Sequence, residues 1–357
     1  MSSIWGENAQ NFYQLTPDIV EDALENLGIR SNAQVLALNS MENRVFQVGL
    51  EDDLTPHIQS QPDNVNEYFE SLPMAYNQLV LKFYRLGRWS EESILEEHGF
   101  SYELAEMEIP VIPPLKLKDK SLHRHESTGL YYAIYPKVFG RLQDEISDDQ
   151  AKQMGRLIAR IHNIGSINSF THRPTYNLEN YLFSHLETFK QTQLIPDTSK
   201  KYYIELCEQL AKMIQPYLER LTPQRLHGDF HRGNIIWSER NGDSLPWIID
   251  LDDCSQGPKE QDLWLLLPGR DSESLAQREI FLEAYLSMSN SSISLTNFII
   301  EALRSIRMIH FNGWIAKRWE DPIFQNYYPD FNTENYWRTQ LLDLREQISI
   351  LQDSLYE

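Results

Sequence analysis

The feature that most constrains this chain is a polar cluster set inside an apolar run. Residues 225–237 read RLHGDFHRGNIIW, and after a dipeptide Asn241-Gly242 the chain returns as PWIID, residues 246–250. Two short apolar runs around an Asn-Gly turn form a β-hairpin. A hairpin lays its outer ends side by side, so Asn234 at the start of one strand and Asp250 at the end of the other are expected to lie close together. Asp229 stands five residues before Asn234. Two carboxylates and an amide oxygen at one strand end make an all-oxygen site, which suits a hard cation such as magnesium and not zinc. Magnesium in such a setting works with a nucleotide.

The elements around this cluster change character along the chain. TPDIVEDALENLGI reads as a helix with Thr16 as cap, Pro17 in the first turn and Gly28 as its end. QVLALNS and NRVFQVGL read as neighbouring strands, the stretch 51–76 as an inserted polar loop, and QLVLKFY as a further strand. SEESILEEHGFSYELAEME reads as a helix ending at Pro110, interrupted only by Gly99, and GLYYAIYPKVFGR as a buried strand running into a crossing. Beyond it helical periodicity dominates, as in QMGRLIARIHNIG. The expected organisation is therefore two units, residues 1–136 and 137–357.

Composition removes several classes of function. The 357 residues, 41% of them hydrophobic, suffice for a real core. A net charge of -20, with KLKDK at 116–120 as the densest basic run, argues against nucleic acid and anionic membranes as partners. The start MSSIWGENAQNFYQ is unlike a signal peptide and no run has the length of a membrane span, so a cytoplasmic protein is expected. Two cysteines, Cys207 and Cys254, are too few for a zinc site or a disulfide framework. A monomer is the default.

HGDFHRGN followed by IIDLDD resembles the catalytic and metal loops of the kinase-like superfamily that includes aminoglycoside and choline kinases. The segments LNSMENRV, VLKFYRLGRW, ILEEH, RLHGDFHRGNIIW, IDLDD, GPKEQDLWLLL and RWEDP together resemble the bacterial stress response kinase A family across nearly the whole chain. That resemblance implies an α+β, bilobal, protein-kinase-like fold with a small antiparallel-sheet lobe and a large helical lobe. It also implies ATP as co-substrate, magnesium as cofactor, and protein serine or threonine as acceptor in a stress response that limits cell death.

Roles follow from the resemblance, each with a physical reason. Asp229 would orient the attacking hydroxyl or accept its proton. Asn234 and Asp250 would hold the metal, and Asp250 thereby counts among the catalytic residues. Lys82, an ammonium inside an apolar strand, would bind ATP phosphates and a helix glutamate, Glu97 or its neighbour Glu96. Ser40 would reach a phosphate from a turn that lacks the glycine-rich loop of protein kinases. Adenine would lie against residues 135–138. Asp262 would brace the catalytic loop, His227 would position it, and His231 reads as scaffold. Only seven residues separate Asp250 from Pro258, too few for a long activation segment. The same constellation serves kinases of choline, aminoglycosides, homoserine and sugars, so a small-molecule hydroxyl kinase is the alternative. A pseudokinase is disfavoured by the presence of all four polar residues. Of the C-terminal aromatics, Trp314, Trp319, Tyr327, Tyr328 and Trp337, packing is the expected role, with stacking on a cationic ligand the alternative.

Overall fold

Period-two alternation in the first third of the chain pairs into one sheet, and the 3.6-residue periodicity that follows builds the helices packed below it. A computed structural model of the chain describes residues 12–13, 15–61, 63–240 and 243–355. Helix α1 (Pro17–Glu25) starts on Pro17 and buries Val20, Ala23 and Leu24. Strands β1 (Ser31–Ala37) and β2 (Arg44–Leu50) pair antiparallel.

The expectation of a loop at 51–76 is corrected. Helices α2 (Thr55–Gln59) and α3 (Asp63–Ser71) occupy the stretch, and β3 (Met74–Phe83) begins inside it. Pro56 sits in the first turn of α2, where the missing N–H costs nothing. Each helix is short and anchored by few apolar residues, Leu54 and Ile58 for one, Phe69 and Leu72 for the other, so periodicity is faint.

Helix α4 (Glu91–Glu106) is capped by Ser90, whose side chain accepts from the Ser93 amide, and runs unbroken through Gly99. Strands β4 (His123–Arg124) and β5 (Tyr131–Val138) complete an antiparallel sheet of order β1-β2-β3-β5-β4. Lys82 therefore lies on the central strand, opposite Val45 on one side and Ala133 on the other.

The helical part opens with α5 (Asp148–Gly165), started by a capping box between Ser147 and Gln150. A π-helical turn, Glu179–Phe183, leads into α6 (Ser184–Gln191), and α7 (Asp197–Leu218) follows. Next come β6 (Pro223–Leu226), the hairpin β7 (Ile235–Arg240) and β8 (Asp243–Ile248), and β9 (Ser255–Pro258), which pairs with β6. Ile235 faces Ile248 as the hairpin reading requires, while Asn241 and Gly242 lie outside the described residues. Helices α8 (Glu260–Leu266), α9 (Ser272–Leu286), α10 (Asn297–Arg318), α11 (Pro322–Tyr327) and α12 (Glu334–Asp353) finish the chain.

The result is a bilobal α+β fold. One core lies under the sheet around Val48, Leu81 and Ile134, and another fills the helical lobe around Tyr203, Phe331 and Trp337. A third joins α4 to α5 and the hairpin through Phe100, Ile158, Ile235 and Ile248, so the two lobes share apolar surface beside the cleft. The C-terminal aromatics are largely packing: Trp337 is fully buried and Trp314 meets Phe324 edge to face. Among the described residues no helix is long and apolar enough to cross a membrane.

Candidate active site

The site is assembled where β3, α4, the loop before β7 and the turn after β8 meet. Lys82 projects from the central strand and is buried, so its ammonium needs compensation. It finds three carboxylates: Glu97 Oε1 at 3.3 Å, Asp250 Oδ1 at 3.2 Å and Asp252 Oδ1 at 3.1 Å. Burial alone would lower its pKa, but Asp252, Glu97 and Asp250 outweigh it and raise it well above the ordinary lysine value. Glu97 experiences the converse. Burial, reinforced by Asp252 and Asp250, pushes it up to about 7 against the pull of Lys82 and Arg173.

The choice between Glu97 and Glu96 is resolved by their faces of α4. Glu97 turns inward to Lys82, whereas Glu96 accepts the backbone amides of Thr171 at 2.7 Å, His172 at 2.7 Å and Arg173 at 2.9 Å. The three aspartates after β8 are likewise divided. Asp252 is buried between Lys82, Arg88 and Arg173, and Asp253 is held by Arg88. Asp250 leaves 52% of its side chain exposed and sits in the left-handed backbone region, φ 61° and ψ 63°. That conformation is sparsely populated by residues with a Cβ, and aspartate tolerates it better than most.

The loop 227–234 is braced from below. Asp262, fully buried at the start of α8, accepts the amides of His227 and Gly228, each at 2.9 Å, and also meets His162 Nε2 at 3.2 Å. Gly228 has φ +85° and lies against the carbonyl of Asp253, leaving no room for a Cβ. His227 donates from Nε2 to the Ile249 carbonyl at 3.0 Å, which ties the loop to the end of the hairpin. It positions the loop, as the resemblance implies.

Asp229 emerges from this braced loop. Its Oδ2 lies 3.3 Å from His231 Nε2 and its Oδ1 lies 2.8 Å from Arg307 Nη1, yet that contact is poorly aligned and Oδ1 has no hydrogen-bond partner. Burial opposes ionisation, but Arg307 and then His231 hold the carboxyl well below the usual aspartate range. Asn234 donates Nδ2 to the Asp229 carbonyl at 3.0 Å, which leaves its amide oxygen able to face a cation. The Ile249 amide donates to the Asn234 carbonyl at 3.0 Å, so Asn234 and Asp250 stand side by side at the hairpin's open end. With Asp250 exposed and Asn234 presenting oxygen, the donor set fits a hard divalent cation.

Ser40 is half-buried in the β1–β2 turn. That turn carries no glycine and is instead pinned by arginines: Arg85 donates to the carbonyls of Glu42 at 2.8 Å and Met41 at 2.9 Å. The Glu42 carboxylate in turn meets Arg85, Arg88, Arg318 and the indole N–H of Trp314. Burial would raise its pKa, but Arg88, Arg318 and Arg85 bring it to about 2.

Three residues at the site escape reading from the sequence: Arg88, Glu42 and Arg307. Arg88 and Glu42 lie inside segments that carry the resemblance but have no spacing of their own that signals a partner. Arg307 is an arginine on a helix 78 positions after Asp229, and no local pattern connects the two. His231, read as scaffold, lies against the Asp229 carboxylate.

A buried strand lysine paired to a helix glutamate, facing a braced Asp loop and a hairpin-end aspartate, defines a kinase cleft, and the chain belongs to the phosphotransferase enzyme family, whose sequence profile matches residues 68–294. It is an ATP-dependent kinase. Among its relatives, stress response kinase A of Escherichia coli (strain K12) is 36% identical over 347 residues, covering 97% of this chain and 96% of that one. The serine/threonine protein kinase RdoA of Salmonella typhimurium is 36% identical over 348 residues and 97% of each chain. A solved amicoumacin kinase in complex with AMP-PNP, Ca2+ and Ami shares the fold, with a TM-score of 0.61 at 18% identity over 90% of this chain and 94% of its own.

Proposed function

We propose that this chain is a magnesium- and ATP-dependent serine/threonine protein kinase of a bacterial stress response that limits stress-induced cell death. The observation that carries the phosphoryl-transfer site is the convergence of Lys82, Asp250 and Asp229 from separate elements, with one oxygen of Asp229 left without a hydrogen-bond partner. In this reading the Asp229 carboxylate takes the hydrogen of the acceptor hydroxyl and orients its oxygen for in-line attack. Lys82, held by Glu97, contacts the ATP phosphates, and Ser40 reaches them from the β1–β2 turn. Asn234 and Asp250 hold magnesium, which offsets phosphate charge when bound. Adenine lies against residues 135–138, and residues 1–136 and 137–357 act as nucleotide and substrate units. The protein works as a cytoplasmic monomer.

Protein as the acceptor is supported by identity that extends over nearly the whole length of relatives named as stress response and serine/threonine kinases. The second reading, a small-molecule hydroxyl kinase, is favoured by the fold shared with the amicoumacin kinase. The two are separated by incubating purified protein, magnesium and radiolabelled ATP with a generic protein acceptor and, separately, with a metabolite pool, using Asp229→Asn as control. Label on protein serine or threonine that the control lacks is the expected result. Label confined to small molecules overturns the protein-kinase reading.

A further inference from the structure

We propose that Arg307 is the acceptor-side positioning and specificity residue, selecting a hydroxyl flanked by an anionic group, so that an acidic serine or threonine segment is the preferred substrate. This rests on the site reading given to Asp229 and, for the peptide, on the protein-kinase reading.

Three observations carry it. First, α10 brings Arg307 Nη1 to 2.8 Å from Asp229 Oδ1 while leaving that oxygen without a hydrogen-bond partner. The guanidinium thus lies against the carboxylate and offsets its charge, so a group approaching Asp229 meets Arg307 as well. Second, the rest of the Arg307 head is uncommitted. Its side chain is 37% exposed, and among the described residues its N–H groups make no hydrogen bond. The other arginines of α10 are engaged, Arg304 by Glu301 and the Pro268 carbonyl, Arg318 by Glu42. Third, residues 302–318 of α10 hold Arg304, Arg307, Lys317 and Arg318 and no acidic residue, in a chain whose net charge is -20.

Arg307 is therefore the cation of α10 that stands beside Asp229 with donors left open. An acceptor bearing an ammonium group would be repelled by Arg307, and the carboxylates named at the site already have cationic partners, Asp229 in Arg307, Asp253 in Arg88 and Asp250 in Lys82. A carboxylate or phosphate next to the hydroxyl would instead meet a planar guanidinium with open donors, the geometry that favours paired hydrogen bonds to oxyanions. Like-charge exclusion and oxyanion capture act together to discriminate.

The test measures phosphorylation of two serine peptides, alike except that glutamates or lysines flank the serine, by the full chain with magnesium and ATP, for wild type, Arg307→Gln and Arg307→Lys. Wild type is expected to favour the acidic peptide by about tenfold or more in KM, with a smaller change in kcat. Arg307→Gln should abolish that preference and Arg307→Lys restore part of it. Because the ratio is taken within one preparation, a loss of folded protein cancels. Equal use of both peptides by wild type, or a ratio unchanged in Arg307→Gln, overturns the role of Arg307. Labelling of neither peptide overturns the protein-kinase reading instead. Glycolate against ethanolamine then decides the role of Arg307 with the same variants: preference for ethanolamine, or one insensitive to Arg307→Gln, sinks it.

Discussion

Asp229 and Asp250 carry the same charge but stand in opposite surroundings, and their variants should separate accordingly. Asp229 faces Arg307 and His231 with one oxygen unbonded, so under the proposed roles Asp229→Asn would remove hydroxyl activation and leave the proposed phosphate-binding residues in place. The rate of transfer should fall by about 10²- to 10⁴-fold while calorimetry shows ATP affinity largely kept. Asp250 is the exposed carboxylate at the hairpin's end and an ion-pair partner of Lys82. In Asp250→Ala the magnesium-dependent part of ATP affinity should be lost, and calorimetry giving equal affinity with and without magnesium in wild type would exclude the assignment. The nearness of Asp250 to Asn234 was legible in the sequence because the hairpin brings its outer ends together, and the role expected of Asp229 rested on the resemblance. That Asp250 and not Asp252 faces the cleft was visible there only through the resemblance, because choosing among three aspartates within four positions depends on where the backbone turns left-handed.

At the scale of the element, α4 shows how adjacent residues on one helix acquire unrelated roles. Consecutive positions are about 100° apart around the helix axis, so Glu97 reaches the cleft while Glu96 closes the orphan amides of the 171–173 loop. Glu96→Ala leaves three N–H groups without their charged acceptor and should destabilise the fold by about 1–3 kcal/mol with ATP affinity unaltered. Thermal unfolding beside an ATP titration checks both halves. The sequence left the pair open, since α4 packs on the sheet on one side and on α5 on the other and its apolar pattern identifies no single inner face. The short helices α2 and α3 were missed for a related reason, as each buries only a few side chains.

At the scale of the molecule, the two lobes are tied by buried charge as well as by apolar surface. Asp321, 1% exposed, accepts Arg44 at 2.8 Å and Arg85 at 2.7 Å, joining the large lobe to β2 and to the residues after β3. Removing it in Asp321→Ala leaves two guanidinium groups facing each other in a desolvated seam, so a loss of about 3–5 kcal/mol is expected in denaturant unfolding. Glu42 adds a pH dependence across the same seam. Its folded pKa of about 2 lies below the ordinary 4.5, so its contribution is fully present above about pH 4.5 and is lost as pH falls towards 2. Glu42→Gln should flatten the fall in melting temperature over that window, and an unchanged acid limb would remove Glu42 as its cause. By itself the sequence determined the sheet-then-helix order, the hairpin and the spacing of Asp229, Asn234 and Asp250, because alternation, capping and turn chemistry act between residues near in the chain. Only the tertiary structure decided which glutamate meets Lys82, that Glu42 and Asp321 hold the lobes together, and that Arg307 lies against Asp229. Those contacts join elements whose approach depends on how three cores pack, and pairings across separations from 15 positions, Lys82 to Glu97, to 277, Arg44 to Asp321, leave no periodicity in a single sequence.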